Sequence, residues 1–270
     1  MIFQTGTTEA LDAALTLCDA ALSLCESLRH PKHMQHLKPI TAAAQAVIAD
    51  YFRHQKTALV HWVKYRIGES LREDKTGRRR ASEILPDSLS PLSFAVTHAE
   101  SDAWGTAIST AISKAGFQLA EELSLGIEVP QTAMDRYLAE NSFSKLTGDL
   151  EEVTKQRLRA AVSDAVSSGA TVDEIVGAIE STMDNFGTVR AEMIAQTEIN
   201  TAYNFGRHEI AAAAGMGEKA WITESGNPCV TCQNNEGEGW IPIGQAFSSG
   251  DQMPTAHPRC YCSLDFRSTT

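Results

Sequence analysis

The sequence predicts a mainly α protein: a helical N-terminal two-thirds, then a small α+β module in which a β-hairpin is stapled by a Cys/His cluster. Three observations predict this. Apolar residues recur at spacings of three and four through most of the chain, the mark of helices with one buried face. After Gly215 the pattern changes to short β-like runs separated by turn residues. Four of the six cysteines lie in that last stretch, with a histidine among them. Residues 1–150 therefore read as a helical N-terminal region and residues 151–270 as a C-terminal domain.

The elements follow in order. Leu11, Leu15, Cys18, Leu22 and Cys25 fall on one face of a first helix, so Cys18 and Cys25 read as core residues. Pro31 and Pro39 bracket an expected break. A second helix is predicted from about Thr41 to Leu71, with Val47, Ile48, Tyr51, Phe52, Leu59, Trp62, Val63 and Ile67 packing inward. Glu73 to Pro91, which contains Gly77 and Pro86, has the least ordered composition. Helices are predicted over about Leu92 to Leu123, Gln131 to Ser142 and Leu150 to Ser167, with a stop at Gly169. Thr171-Val-Asp-Glu174 reads as a capping box, in which hydroxyl and carboxylate satisfy each other's exposed backbone donors. It opens a helix to about Met183 that Gly187 should break, and a last long helix runs from Thr188 to about Ala214.

Two β-like runs then appear, Ala220-Trp-Ile-Thr223 and Gly239-Trp-Ile-Pro-Ile243, with Trp221 and Trp240 as their apolar content. A Cys229-Val-Thr-Cys232 turn lies between them, and His257-Pro-Arg-Cys260-Tyr-Cys262 follows. Two short clusters of soft ligands across a gap fit one tetrahedral Zn2+, held by Cys229, Cys232 and two of His257, Cys260 and Cys262. The gap is rich in Gly, Pro and polar residues, so the expectation is that it builds no core of its own and depends on the metal. Reduced, unligated thiols and disulfides are the other two readings of the same cysteines. Met1 to Gly6 lacks the charged and apolar regions of a secretory signal, and a reducing compartment disfavours disulfides.

The formal net charge of −11 argues against general affinity for nucleic acid. The local exception, Arg72 to Arg80, reads as a solvated loop offering at most a weak DNA contact. No apolar run is long enough to span a membrane.

One enzymatic alternative is spelled by the letters. His98-Ala-Glu100 with Pro228-Cys229-Val-Thr-Cys232 matches the zinc deaminase pattern, with Glu100 as proton shuttle. That chemistry needs an alternating β/α sheet around the site, whereas the intervening sequence reads helical. It also leaves His257, Cys260 and Cys262 without a role.

Three stretches resemble the phage Mu F-like minor head proteins, also called phage head morphogenesis proteins. They are Arg190-Ala-Glu-Met-Ile-Ala-Gln-Thr-Glu198, the strand with Trp221 leading to Cys229 and Cys232, and Pro254-Thr-Ala-His257-Pro-Arg-Cys260-Tyr-Cys262. The specific part spans roughly Leu158 to Phe266. Two departures stand out: Glu224-Ser-Gly-Asn227-Pro228 replaces an Asp-x-Arg-like turn, and Tyr261 takes the place of an arginine between the closing cysteines. The resemblance implies a non-enzymatic protein of the virion head, present in the host cytoplasm during assembly. Its partners would be the portal protein or the capsid shell, with no small-molecule substrate. Arg190, Thr197, Glu198 and Trp221 would be structural, with Thr197 and Glu198 bonding to the backbone of the Cys/His hairpin. The short stretch after Cys262 leaves no room for an added effector domain.

Overall fold

The computed structural model describes residues 32–73, 96–168 and 170–269. It is mainly helical, with a three-stranded antiparallel sheet near the C-terminus. The helices are α1 (Lys32–Glu73), α2 (His98–Glu122), α3 (Gln131–Glu140), α4 (Phe143–Ser167), α5 (Val172–Asn185), α6 (Ala191–Ala213) and α7 (Val230–Gly237). The strands are β1 (Glu218–Ile222), β2 (Ile241–Pro242) and β3 (Ser263–Arg267), in sheet order β2-β1-β3. The expected helix with Cys18 and Cys25, and nearly all of the Arg72 to Arg80 run, lie outside the described residues. No helix among the described residues is long and apolar enough to cross a membrane.

The helical core is continuous across position 150. It takes Ile48, Tyr51, Phe52 and Leu59 from α1, Trp104, Ile108 and Ile112 from α2, and Ile175, Val176 and Ile179 from α5. From α6 it takes Ile194, Ile199 and Tyr203. A close backbone approach joins α2 to α6: a Cβ added at Gly206 would lie 2.3 Å from the Ile112 carbonyl oxygen. Only glycine lets the two backbones come this close.

Several boundaries differ from the sequence reading for physical reasons. Pro39 does not break the chain; it sits inside α1. A proline removes one helical donor, here the partner of the Gln35 carbonyl one turn earlier, and near the start of a 42-residue helix that loss does not break the rod. Gly187 does not end a helix but lies in a π-helical turn, Phe186–Arg190, that joins α5 to α6. One extra residue in a turn is absorbed this way without breaking the rod. The capping box at Thr171 is present, with Glu174 Oε2 accepting from the Thr171 amide at 2.7 Å and the Glu174 amide donating back to Thr171 Oγ1. A second box, Thr97 with Glu100, opens α2.

The C-terminal module has a third strand the sequence reading did not anticipate. β3 pairs with β1, placing Trp221 opposite Leu264. The gap does contribute to a core: Ile241 and Phe247 pack with Trp221, Cys232, Cys260, Cys262 and Leu264. Trp221 and Phe247 meet edge to face at 5.1 Å between centroids. Trp240, expected as buried content, is only half-buried and lies under the Arg267 guanidinium.

Candidate metal centre

Cys229 and Cys232 do not lie on a free turn but open α7. Cys229 is the N-cap, and its sulfur accepts the Cys232 amide at 3.4 Å. Glu236, at the other end of α7, accepts from the Thr223 amide and hydroxyl at 2.8 and 2.7 Å, which fixes the helix against the end of β1. His257, Cys260 and Cys262 arrive on the segment leading into β3, which turns at Arg259 with φ +58°. The five expected ligands do converge. The donor atoms of Cys229, Cys232 and His257 lie within 4.8 Å of one another, as do those of Cys232, Cys260 and Cys262. Cys232 belongs to both groups. Cys232, Cys260 and Cys262 are buried, whereas Cys229 is exposed.

The geometry suits a tetrahedral ion. Zn–S bonds of about 2.3 Å and Zn–N bonds of about 2.0–2.1 Å set tetrahedral edges of about 3.8 Å between sulfurs and about 3.5 Å between sulfur and nitrogen. Cys232 Sγ lies 3.8 Å from Cys260 Sγ and 3.4 Å from His257 Nε2. His257 Nδ1 lies 2.9 Å from the Pro258 carbonyl, which can only accept, so Nδ1 carries the proton and Nε2 presents a bare lone pair to the cluster. The cluster could hold a metal ion.

Its electrostatics also call for a cation. Hydrogen bonding from Cys262 is the main influence that brings the Cys260 thiol down to about 6. Burial first, and then the Cys260 charge, push Cys232 up to about 12. Cys262 is raised by its bond to Cys260 and by burial. Burial opposes ionisation of Cys229, but hydrogen bonding from the Cys232 amide and side chain outweighs it and lowers that thiol. Left to themselves, packed thiols resist sharing more than one negative charge, whereas a divalent ion inverts that preference.

The cluster is fastened to the helical body by a polar ridge on α6. Asn200 Nδ2 donates to the carbonyls of Cys260 and Cys262 at 3.0 and 3.1 Å. Asn204 Nδ2 donates to Cys262 O at 3.1 Å, and its Oδ1 accepts the Leu264 amide at 3.1 Å. Both asparagines are fully buried. β3 is an edge strand, and the two side-chain amides take the place of a further strand on its open side. Thr197 Oγ1 accepts the Arg259 amide at 3.0 Å, Thr201 meets Thr255 at 2.8 Å, and Gln196 bonds the Tyr261 hydroxyl. Tyr261, the residue that departs from the closing Cys-Arg-Cys, thus docks on α6.

The remaining expected residues divide. Trp221 is 1% exposed in the module's core. Thr197 bonds the hairpin backbone as expected. Glu198 does not: among the described residues it makes no hydrogen bond or ion pair, and it stands near Tyr137 with its carboxyl raised by burial. Arg190 closes the π-helical turn, where burial and then the Arg157 charge lower its guanidinium. His98 is exposed, and the Glu100 carboxylate accepts from Thr97 and pairs with His54 at 3.0 Å. Neither belongs to the metal-ligand groups. Sequence reasoning missed Asn200, Gln196 and Phe247. The available signal was a run of polar residues at helical spacing, 197, 200, 201 and 204, on a helix with an apolar opposite face.

Compared with protein-family models, curated proteins and solved structures, the chain matches none.

Proposed function

We propose that this chain is a non-enzymatic minor head protein of the Mu F-like kind, from a tailed phage or prophage. It joins assembling heads by protein contacts with the portal or the inner capsid shell, and its C-terminal cluster binds one structural Zn2+. One observation carries the reading. Two of the three stretches that resemble the family, Arg190–Glu198 on α6 and Pro254–Cys262, are joined directly through Thr197 Oγ1 and the Arg259 amide. Residues distant in sequence that share a resemblance also share a contact.

Zinc is the metal of choice because thiolates and an imidazole form a soft donor set that hard cations avoid. Bound there, the ion would supply fixed geometry and neutralise thiolate charge. The protein's own part is to align His257 through Pro258, to hold the Cys260 and Cys262 backbone through Asn200, and to present α7. Virion-head location and a cytoplasmic assembly stage in the host belong to the same proposal.

The decisive experiment co-expresses the chain with its cognate portal and capsid proteins and purifies heads. The chain should sediment with heads and copurify with portal across roughly 50–200 mM salt, a range over which phosphate-driven binding collapses. Absence from heads and from portal would overturn the reading. So would turnover of cytidine, adenosine or single-stranded DNA by the metal-loaded protein.

A further inference from the structure

Among the described residues nothing covers one face of α2. Thr106, Thr110, Ser113 and Phe117 recur at spacings of four, three and four, which sets them in one line along the helix. All four are exposed, and Phe117 is 57% exposed despite its large apolar ring. Thr106 Oγ1 donates to the Asp102 carbonyl at 2.8 Å, and Thr110 Oγ1 donates to the Thr106 carbonyl at 2.7 Å. Both hydroxyl protons are thus spent on the helix's own backbone, and covering these threonines leaves neither donor unpaired. The line itself carries no charge. Ser109, Thr110, Ser113, Lys114 and Phe117 line a shallow concavity on this side.

We infer that this face seats the chain's own residues 11–25. Their apolar stripe, Leu11, Leu15, Cys18, Leu22 and Cys25, alternates four, three, four and three, the same repeat as the line on α2. Two helices with that repeat meet along a narrow seam, where each side chain of one enters a gap in the other. The sizes are complementary: leucines and cysteines face threonines and a serine, with Phe117 closing one end. The tether fits too. Lys114, beside the line, donates from Nζ to the His36 carbonyl at 3.0 Å, so the first turns of α1 lie against this part of α2. Six residues, 26–31, separate Cys25 from the start of α1 at Lys32. At about 3.3–3.6 Å per residue they reach at most about 20–22 Å, more than the roughly 16 Å from Thr106 to Phe117 along the helix. So short a tether holds the segment at about millimolar effective concentration, which favours it over any separate partner. This seating needs neither the metal nor a head partner, and it shields Cys18 and Cys25 between helices.

The full chain tests this with its own thiols. Alkylation of Cys18 and Cys25, followed by peptide mass, should run about tenfold or more slower in the folded protein than in urea. Phe117→Asp puts a charge in the seam without touching the buried side of α2, and should return both thiols to within about twofold of the urea rate. Ser113→Cys, oxidised gently with glutathione disulfide, should bond to Cys18 or Cys25 of the same chain, since a disulfide needs Cα atoms within about 4.4–6.8 Å. Cys18 and Cys25 as reactive in the folded protein as in urea would overturn the seating. So would protection that Phe117→Asp leaves untouched, which would put the segment elsewhere. A Ser113→Cys protein that bonds to neither thiol would overturn it as well, as would disulfides joining two chains, which would give the face to a second copy.

Discussion

Replacing Asn204 with leucine tests whether side-chain amides complete the sheet. The two side chains are close in size, so packing changes little while four hydrogen bonds disappear: to the carbonyls of Asn200 and Cys262, a long one to Asn200 Oδ1 at 3.5 Å, and the one from the Leu264 amide. The Cys262 carbonyl keeps its bond from Asn200, so it loses one partner of two. The Leu264 amide lies on the open side of an edge strand, 2% exposed as a residue, and is left bare. An orphaned buried donor costs about 1–3 kcal/mol, and a lost but compensated bond about 0.5–1.5 kcal/mol. The sum is about 2–4 kcal/mol, a large share of the roughly 5–15 kcal/mol that holds a domain together.

Urea denaturation with metal content held constant is the assay, because bound metal would shift apparent stability by mass action. Near-ultraviolet circular dichroism follows tertiary packing in both parts, Trp221 and Trp240 in the module and Trp62 and Trp104 in the helices. Far-ultraviolet signal follows the helices. The midpoint should fall with little change in slope. Thr201→Val is the control. It removes the part-buried bond to Thr255 and the hydroxyl's bond back to the Thr197 carbonyl within α6, which together should cost about 1 kcal/mol. A loss below about 0.5 kcal/mol for Asn204→Leu would refute the argument, since it would mean that the Leu264 amide finds water or another acceptor.

Gly206→Ala should destabilise the α2–α6 contact by about 1–3 kcal/mol, because its new Cβ meets backbone rather than a yielding side chain; thermal unfolding reads it. Lys219 is fully buried in β1, bonded to Gln252 and facing Phe247, and burial lowers its ammonium to about 8. Its folded pKa lies below its unfolded value, so the unfolded chain binds more protons between about 8 and 10.5, and stability contributed there rises with pH. The stability of the natural protein relative to Lys219→Met should therefore climb from pH 7.5 to about 10 in paired denaturation curves; a flat or falling difference would contradict the sign. Chelation should speed amide exchange through α7 while the Leu264 amide, held by Asn204, stays protected; equal loss at both would show that the clamp depends on the metal.

The long helices were legible because burial at spacings of three and four is a local signal: Ile48, Tyr51, Phe52 and Leu59 all lie where that spacing puts them. The metal-ligand candidates were legible because few other roles bring Cys and His together at such short spacings. What was not legible depended on contacts distant in sequence. Ser263–Arg267 has no strong strand pattern of its own, and becomes a strand because β1 and the α6 asparagines bracket it. Phe247 looked like one apolar residue in a polar gap until Trp221 stood against it. The π-helical turn at Gly187 also escaped notice, since a glycine at a helix end reads locally as a stop.

Helix α6 makes two kinds of attachment, and the difference between them shapes what the module can do. Toward α2 it presents mostly small and apolar residues, where dispersion is non-directional, with the Arg207–Glu122 ion pair at one end. Close approach at Gly206 excludes bulk there. Toward the module it presents amides and hydroxyls aimed at backbone groups from Arg259 to Leu264 and at the Thr255 hydroxyl, all at hydrogen-bond distance. A one-residue slip there would leave several buried donors and acceptors unpaired at once, at about 1–3 kcal/mol each. That penalty fixes a single orientation without a large apolar interface. The thiols and imidazole act on a different layer: they join side chains of α7 to the segment before β3, while the asparagines hold that segment's backbone. A metal bound at the cluster would therefore meet the clamp at Cys260 and Cys262 but restrain different atoms, so a change at Cys229 would loosen α7 first and reach α6 only through the peptide groups that Asn200 and Asn204 already hold.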